Sequence, residues 1–383
     1  MEVITSSRNG ARSADGARRH NRLLALACAG VAAACLLASD GVLRSAALVV
    51  AGLELPQGAG SLLAPGAAAE VRENTAPTAA AITWERGALE SARDFDILAT
   101  PKDIQLLMEE AVEEFAAQAR DGDIREKTYT VSDGTQCWGR LSTRNTTTSQ
   151  PGRDLTKDLA APLELKIDKS KPAVLIFHTH TTEGFEILGR PWYAVEWNSR
   201  TENGQKSIVR VGDAIAQMLE RAGFRVIHDT TIYDRQYTGA YDKSRAAALR
   251  WLAQYPSIQV TLDVHRDAIH TNDGVHIRPV AEIGGKKAAQ VMIISGCEEG
   301  GVTNFPGWAQ NLSFAAKLHM AAEEKYPGLM RPLFFCQRKY NMDLTPFSLL
   351  LEMGADANTL EEAVYSGRLI GEALARLLES YVA

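Results

Sequence analysis

A chain of 383 residues has room for two or three domains, and 45% hydrophobic with 23% charged residues excludes wholesale disorder. The 30 Gly and 14 Pro are scattered without a recurring period, which excludes collagen-like and repeat architectures. Forty-one basic residues against 47 acidic ones give a net charge of −6, so the chain as a whole offers no electrostatic case for binding nucleic acid. Of five cysteines, Cys28 and Cys35 fall in an apolar run, while Cys137, Cys297 and Cys336 are widely spaced with no CxxC. That excludes a disulfide scaffold or a cysteine zinc knuckle and leaves one bridge among the last three open.

Residues 1–22 hold Arg8, Arg12, Arg18, Arg19 and Arg22 against Glu2 and Asp15, and Leu23 to Ser39 carries no charge. A basic head followed by an apolar run is a secretory signal or a signal anchor with its arginines on the cytoplasmic side. The charge-free run falls just short of the roughly 20 residues that cross a bilayer, and Gly41 to Leu53, interrupted by Arg44, extends it. No small-x-small cleavage site follows the run, so the expectation over 1–55 is an uncleaved membrane anchor with the body of the chain exported. Residues 56–90 are rich in Ala, Gly and Pro and read as a flexible linker. Residues 91–170 are expected to form a small, mainly irregular and helical adaptor or flap. It contains one amphipathic helix, Lys102–Ala119, with Ile104, Leu107, Ala111 and Phe115 at three- and four-residue steps.

From Lys171 strands and helices alternate. The strands are Ala173–Phe177, Phe224–His228, Ile258–Val264, Gln290–Ser295 and Phe347–Glu352. The helices are Ser207–Arg221, Lys243–Gln254, Trp308–Lys325 and Thr359–Tyr381. This order predicts an α/β domain over 171–383 with a mostly parallel sheet and helices on both faces. In such a sheet, ligands bind at the carboxyl ends of the strands.

Three strands run into ionisable residues there: AVLIF into His178-Thr179-His180-Thr181-Thr182-Glu183, IQVTLDV into His265-Arg266-Asp267, and FSLLL into Glu352. Such a set suits metal-assisted hydrolysis, because catalytic zinc takes three N or O ligands and keeps a fourth position for water, whose pKa it lowers. His180 and Glu183, at HxxE spacing, with His265 as the distant third ligand, are the expected Zn2+ set. Glu352, preceded by an apolar run that would raise its pKa, is the expected proton carrier, the alternative being a charge placed at a helix N-terminus. His178 is either a further group in the site or an orienter behind it. Arg266 and Asp267 either support the site or pair with each other. Neither a GxSxG elbow nor a GxxxxGK phosphate loop is present, and His270 and His276 draw notice by following the HRD strand. Two rival readings stay open: a zinc metallocarboxypeptidase, for which an obvious arginine pair for a substrate carboxylate is missing, and a catalytically silent binding module that recruits another hydrolase.

The segments VLIFHTHTTEGF (174–185), RVGDAIAQMLERAGFRVIHDTTIYD (210–234), VTLDVHRDAI (260–269), NLSFAAKLHMAAEEKYPGLMRPL (311–333), RKYNMDLTP (338–346) and LLLEMGADANTLEEA (349–363) resemble, in collinear order, the stage II sporulation protein P family. The resemblance implies a zinc-dependent N-acetylmuramoyl-L-alanine amidase fold, anchored in the mother-cell membrane of endospore formers. It implies hydrolysis of peptidoglycan between the muramoyl lactyl group and L-alanine, with endopeptidase action on cross-links, in septal wall thinning and engulfment. The implied partners are stage II sporulation proteins D and M. Carried over, the zinc histidines fall on His180 and His265 and the catalytic glutamate on Glu352. The ligating glutamate of related amidases lies further along the chain, where this sequence has Ile208-Val209-Arg210, so Glu183 is the replacement. His178 and Arg266 join Glu352 as candidate catalytic residues. Cys297 and Met342 depart from the family pattern without touching the metal set.

Overall fold

The computed structural model describes residues 95–383. The expected anchor and linker lie outside them, and among the described residues no helix is long and apolar enough to cross a membrane.

The architecture is mixed α/β. The larger sheet has eight strands in the order β2 (Gln136–Trp138), β3 (Leu141–Asn145), β11 (Leu333–Cys336), β10 (Val291–Gly296), β12 (Phe347–Ala355), β7 (Val260–Asp267), β4 (Pro172–Phe177) and β6 (Arg225–His228). Neighbours run parallel except at β2–β3 and β10–β12. A second sheet of four strands has the order β5 (Trp192–Ala194), β1 (Arg120–Lys127), β8 (His276–Ile283), β9 (Lys286–Ala289).

Helices cover both faces of the larger sheet, as the continuous apolar strands require. Val174 and Ile176 of β4, Val260, Leu262 and Val264 of β7, and Leu349 and Leu351 of β12 share one core with α3 (Ile208–Arg221), α5 (Trp308–Lys325) and α6 (Leu360–Glu379). The alternate residues Leu175 and Phe177 face α4 (Ala240–Gln254), packing with Ala248, Trp251 and Leu252. Ser207 caps α3 through its hydroxyl, and Thr359 and Glu362 form a reciprocal capping box at the start of α6. Each core strand and long helix predicted from 171 onward is present, within a few residues of its expected ends.

The region before 171 differs from the expected adaptor. After α1 (Lys102–Ala116), β1 pairs in parallel with β8, and β2 and β3 form one edge of the larger sheet through β11. The short helix α2 (Leu155–Ala160) packs against α5. No break in hydrogen bonding falls at 170. The sequence hides this because β1, RDGDIREK, buries Ile124 alone, so apolar periodicity is nearly absent. Both site-bearing strands also outrun their predicted ends: β7 continues to Asp267 and β12 to Ala355. Between Glu352 and Ala355 the ladder slips, and Gly354 takes a φ of 79°; a Cβ there would also lie 2.6 Å from Asn358 Oδ1. Cys137, Cys297 and Cys336 are free.

Two outcomes follow. A fragment starting at 171 lacks the partners of β8 and β11 and should unfold at lower temperature and aggregate more readily than 95–383, as scanning fluorimetry and light scattering would read. His319 on α5 is buried with its Nε2 3.3 Å from the Arg140 carbonyl, and burial pushes its pKa down to about 4 from the ordinary 6.5. Since the unfolded chain takes up this proton first as pH falls, stability drops between about pH 6.5 and 4. His319→Gln should flatten that acid limb by on the order of 2 kcal/mol at pH 5, measured by urea unfolding at stepped pH.

Candidate functional site

Side chains alternate across a strand, and this parity decides what reaches the cleft. On β7, Val260, Leu262 and Val264 point to the core of α3 and α6, so Thr261, Asp263 and His265 take the α4 side. On β12, Leu349 and Leu351 do the same, so Glu352 joins them. Parallel register then sets Glu352 directly beside His265.

The loop after β4 brings the rest. Thr179 donates its N–H and hydroxyl to Asp263, at 2.8 and 2.6 Å, fixing the chain as it leaves the strand. His180 then stands over the cleft with its ring centre 5.3 Å from that of His265, at 84°. Zn–N bonds put an imidazole centre roughly 3 Å from the ion, so two ligating rings can have centres up to about 6 Å apart. The pair meets that limit. Glu183 reaches the start of α3 across space, its carbonyl accepting the Ile208 N–H at 2.7 Å. It thus occupies the helix entrance where the sequence itself offers no carboxylate.

The charges are unevenly shared. Burial opposes ionisation of Glu183, yet His265, Arg266 and His180 pull its pKa down to about 2. Burial would lower His265, but the Asp263 and Glu183 carboxylates outweigh it and hold the imidazole well above its ordinary value. Glu183 Oε2 lies 3.4 Å from His265 Nδ1, and Asp263 Oδ1 lies 2.8 Å from Nε2, off the line of a hydrogen bond. Burial, and then His265, lower His180. Burial, Asp267 and Glu183 raise Glu352 to about 8. His180 Nδ1, His265 Nε2 and Glu352 Oε2 are buried without a hydrogen-bond partner. That donor set, two imidazoles with carboxylates nearby, fits a zinc-class ion.

The expected three ligands are not fully drawn together. Among the described residues, the set whose ligand atoms all lie within 4.8 Å of one another is His270, His276 and Asp356. Here Glu183 is turned to His265 and the backbone N–H of Arg266 at 3.1 Å, while the His180 ring stacks on Tyr237 at 4.6 Å.

His178 and Arg266 stand apart from the expected catalytic roles. His178 continues the parity of Val174 and Ile176, away from His265. Its Nδ1 lies 2.8 Å from the Val264 carbonyl and its Nε2 2.8 Å from His228 Nε2, and burial drives its pKa down to about 3. It is a packing residue beneath α3. Arg266 spends its guanidinium on the carbonyls of Gly184 (3.2 Å) and Ser199 (2.8 Å), which positions the loop bearing Glu183. Asp267 pairs with Arg331 at 2.9 Å, leaving Arg266 to the loop.

Sequence reading missed several neighbours. Asp263 was legible, as a carboxylate inside a buried strand two residues before His265. Tyr237, Tyr241 and Tyr340 were not. Tyr237 stacks on His180, Tyr241 lies parallel to His265 at 6.4 Å, and Tyr340 stacks on Tyr241 at 5.3 Å. Arg245 pairs with Asp343 at 2.6 and 2.8 Å, tying α4 to the loop that carries Tyr340.

A mixed α/β chain with a histidine–carboxylate cleft is the class this geometry defines. Residues 95–375 match the family profile of stage II sporulation protein P, and the chain belongs to that family. It is 32% identical over 204 residues to stage II sporulation protein P of Bacillus subtilis (strain 168). That match takes in 50% of this chain and 47% of the relative, so the chain spans about half the relative's length. Among solved structures, it is similar to the N-acetylmuramyl-L-alanine amidase Ami1 of Mycobacterium smegmatis at 12% identity and a TM-score of 0.34, over 54% of this chain and 97% of that one. A second is the N-acetylmuramoyl-L-alanine amidase AmiC2 of Nostoc punctiforme, at 12% identity and a TM-score of 0.33, over 56% and 98%.

The buried histidine pair beneath α3 offers a direct check. A Cβ at Gly212 would come within 2.6 Å of His228 Nε2 and 2.7 Å of His178 Nε2. Gly212→Ala should therefore cost about 1–3 kcal/mol of stability in denaturant titration, the usual penalty of overpacking.

Proposed function

We propose that this chain is a peptidoglycan hydrolase, an N-acetylmuramoyl-L-alanine amidase with an accompanying endopeptidase action, working in septal wall thinning and engulfment. The observation that carries the reading is the pairing of Glu352 with His265 across β12 and β7, with a Glu352 carboxylate oxygen buried and unpartnered and the His180 ring set against that of His265. His180, His265 and Glu183 would hold the zinc, which supplies Lewis acidity toward the scissile carbonyl and an acidified water.

The rest is the work of the chain's own groups. Glu352, raised to about 8, keeps a proton near neutrality, the state from which a carboxyl protonates a leaving amine. Asp263, itself fixed by Thr179, holds a carboxylate charge 2.8 Å from His265 Nε2. Arg266 keeps Glu183 at the cleft by bonding the carbonyl of the next residue, Gly184, and that of Ser199. Tyr237, Tyr241 and Tyr340 form an aromatic wall on which a sugar or stem peptide can lie. Family membership supports the sporulation role, and with it we propose association with stage II sporulation proteins D and M and attachment to the membrane through residues 1–55, the catalytic part lying outside the cytoplasm.

Purified sacculi provide the test. The full chain should release peptides bearing new L-alanine amino termini, and a chelator should stop release until zinc is restored. Glu352→Gln should lower release by about 10²–10⁴-fold while metal content, read by elemental analysis, is retained. His180→Ala and His265→Ala should lose metal and release together. Full-rate release by Glu352→Gln would remove the proton-carrying role, and new carboxyl-terminal trimming in place of L-alanine termini would favour a carboxypeptidase.

A further inference from the structure

His270, His276 and Asp356 form a second constellation, independent of the cleft. Thr271 and Val275 close a turn by the Thr271 N–H to the Val275 carbonyl at 2.9 Å, with Gly274 at a φ of 81°. This turn sets His270 and His276 opposite each other as an antiparallel bridge, their ring centres 3.9 Å apart. Asp356 follows β12 and is anchored by its N–H to the Asp267 carbonyl at 2.9 Å. Its Oδ2 lies 2.9 Å from His270 Nε2 and 3.6 Å from His276 Nδ1.

An ordinary aspartate–histidine pair leaves too much unanswered. Asp356 is 2% exposed and its Oδ1 has no hydrogen-bond partner; His276 is 8% exposed and its Nδ1 has none either. Buried polar atoms are rarely left so, because each forfeits its hydration. One ion among the three residues would engage both imidazoles and the carboxylate. Tyr193 and Trp197 pack on the His276 ring at 4.4 and 4.7 Å and shield that side, while the half-exposed His270 leaves the other side open as an entry path.

We propose that His270, His276 and Asp356 bind a divalent transition-metal ion of the zinc, cobalt or nickel class, with water completing the coordination. Two imidazoles and one carboxylate select that class over magnesium or calcium, which take all-oxygen sites. The ion clips the exits of β7 and β12 to the start of β8, across the ladder slip at Gly354. Its role is to fix those strand ends; it takes no part in the hydrolytic step.

Cobalt(II) titration of the purified full chain separates this site from the cleft. In a chain carrying His180→Ala and His265→Ala, one Co2+ per chain should still bind and give the visible absorption of a low-coordinate ion. Adding His270→Gln, a change at a partly exposed side chain, should weaken binding at least tenfold, and Asp356→Asn should abolish it. Absence of binding in the folded double variant, or binding indifferent to His270→Gln, would overturn the proposal. Should the double variant fail to fold, the unaltered chain decides: a fall from two Co2+ to one on His270→Gln supports the clip, and an unchanged stoichiometry refutes it. Failure of the hydrolase reading leaves this outcome untouched, because the cleft ligands are absent from the first arm.

Discussion

The parallel pairing of β7 with β12 runs in step from Phe347↔Val260 to Glu352↔His265. On that registration the cleft depends. A slip by one residue would turn every side chain of one strand to the opposite face and set Leu351 or Met353 beside His265. The register is held from both sides. Leu262, Val264, Leu349 and Leu351 are locked into the core under α3 and α6, and each fully buried aliphatic side chain is worth roughly 1.5–3 kcal/mol. On the other face the hydroxyls of Thr261 and Ser348 meet across the two strands.

The cleft gathers Glu183, Asp263, Asp267 and Glu352 against His265, Arg266 and Arg331. Isolated buried charges would not be tolerated, and the arrangement survives because each is answered by an opposite charge or a backbone donor. Thr179 satisfies Asp263, Arg331 satisfies Asp267, and the Arg266 N–H satisfies Glu183. Glu352 is the exception, and its carboxyl accordingly rises to about 8. A second anchor, Asp234, receives the Thr182 hydroxyl at 2.7 Å and Arg200 at 2.6 Å, so the loop leaving His180 is tied down at several points.

What could be read from the sequence followed from how deeply each segment is buried. Strands β4, β7, β10 and β12 are covered on both faces and therefore appear as mainly apolar runs, interrupted at Thr261, Asp263 and Ser348 by polar residues that turn to the α4 side. Strands β1 and β2, at or near sheet edges, bury almost nothing, and β3 buries Leu141 with the polar Ser142 and Thr143, so all three carry little apolar signal and read as an irregular adaptor. His265 and Glu352 were legible as ionisable residues following apolar runs. The assignment of His178 needed one further step, since counting alternate residues from Val174 already sends it beneath α3. Arg266 was harder, because nothing in HRD says that its guanidinium would be used on the carbonyls of Gly184 and Ser199. The grouping of His270 and His276 with Asp356 comes from a turn and a distant strand, and no local pattern announces it.

The ladder slip at Gly354 has a topological consequence. Counting in twos along an unbroken strand would leave Glu352 and Asp356 on the same side. An inserted residue inverts that count, as β-bulges do. The single polypeptide run from 352 to 356 is thereby partitioned between two compartments, so that its two carboxylates serve separate neighbourhoods and cannot compete for one cation.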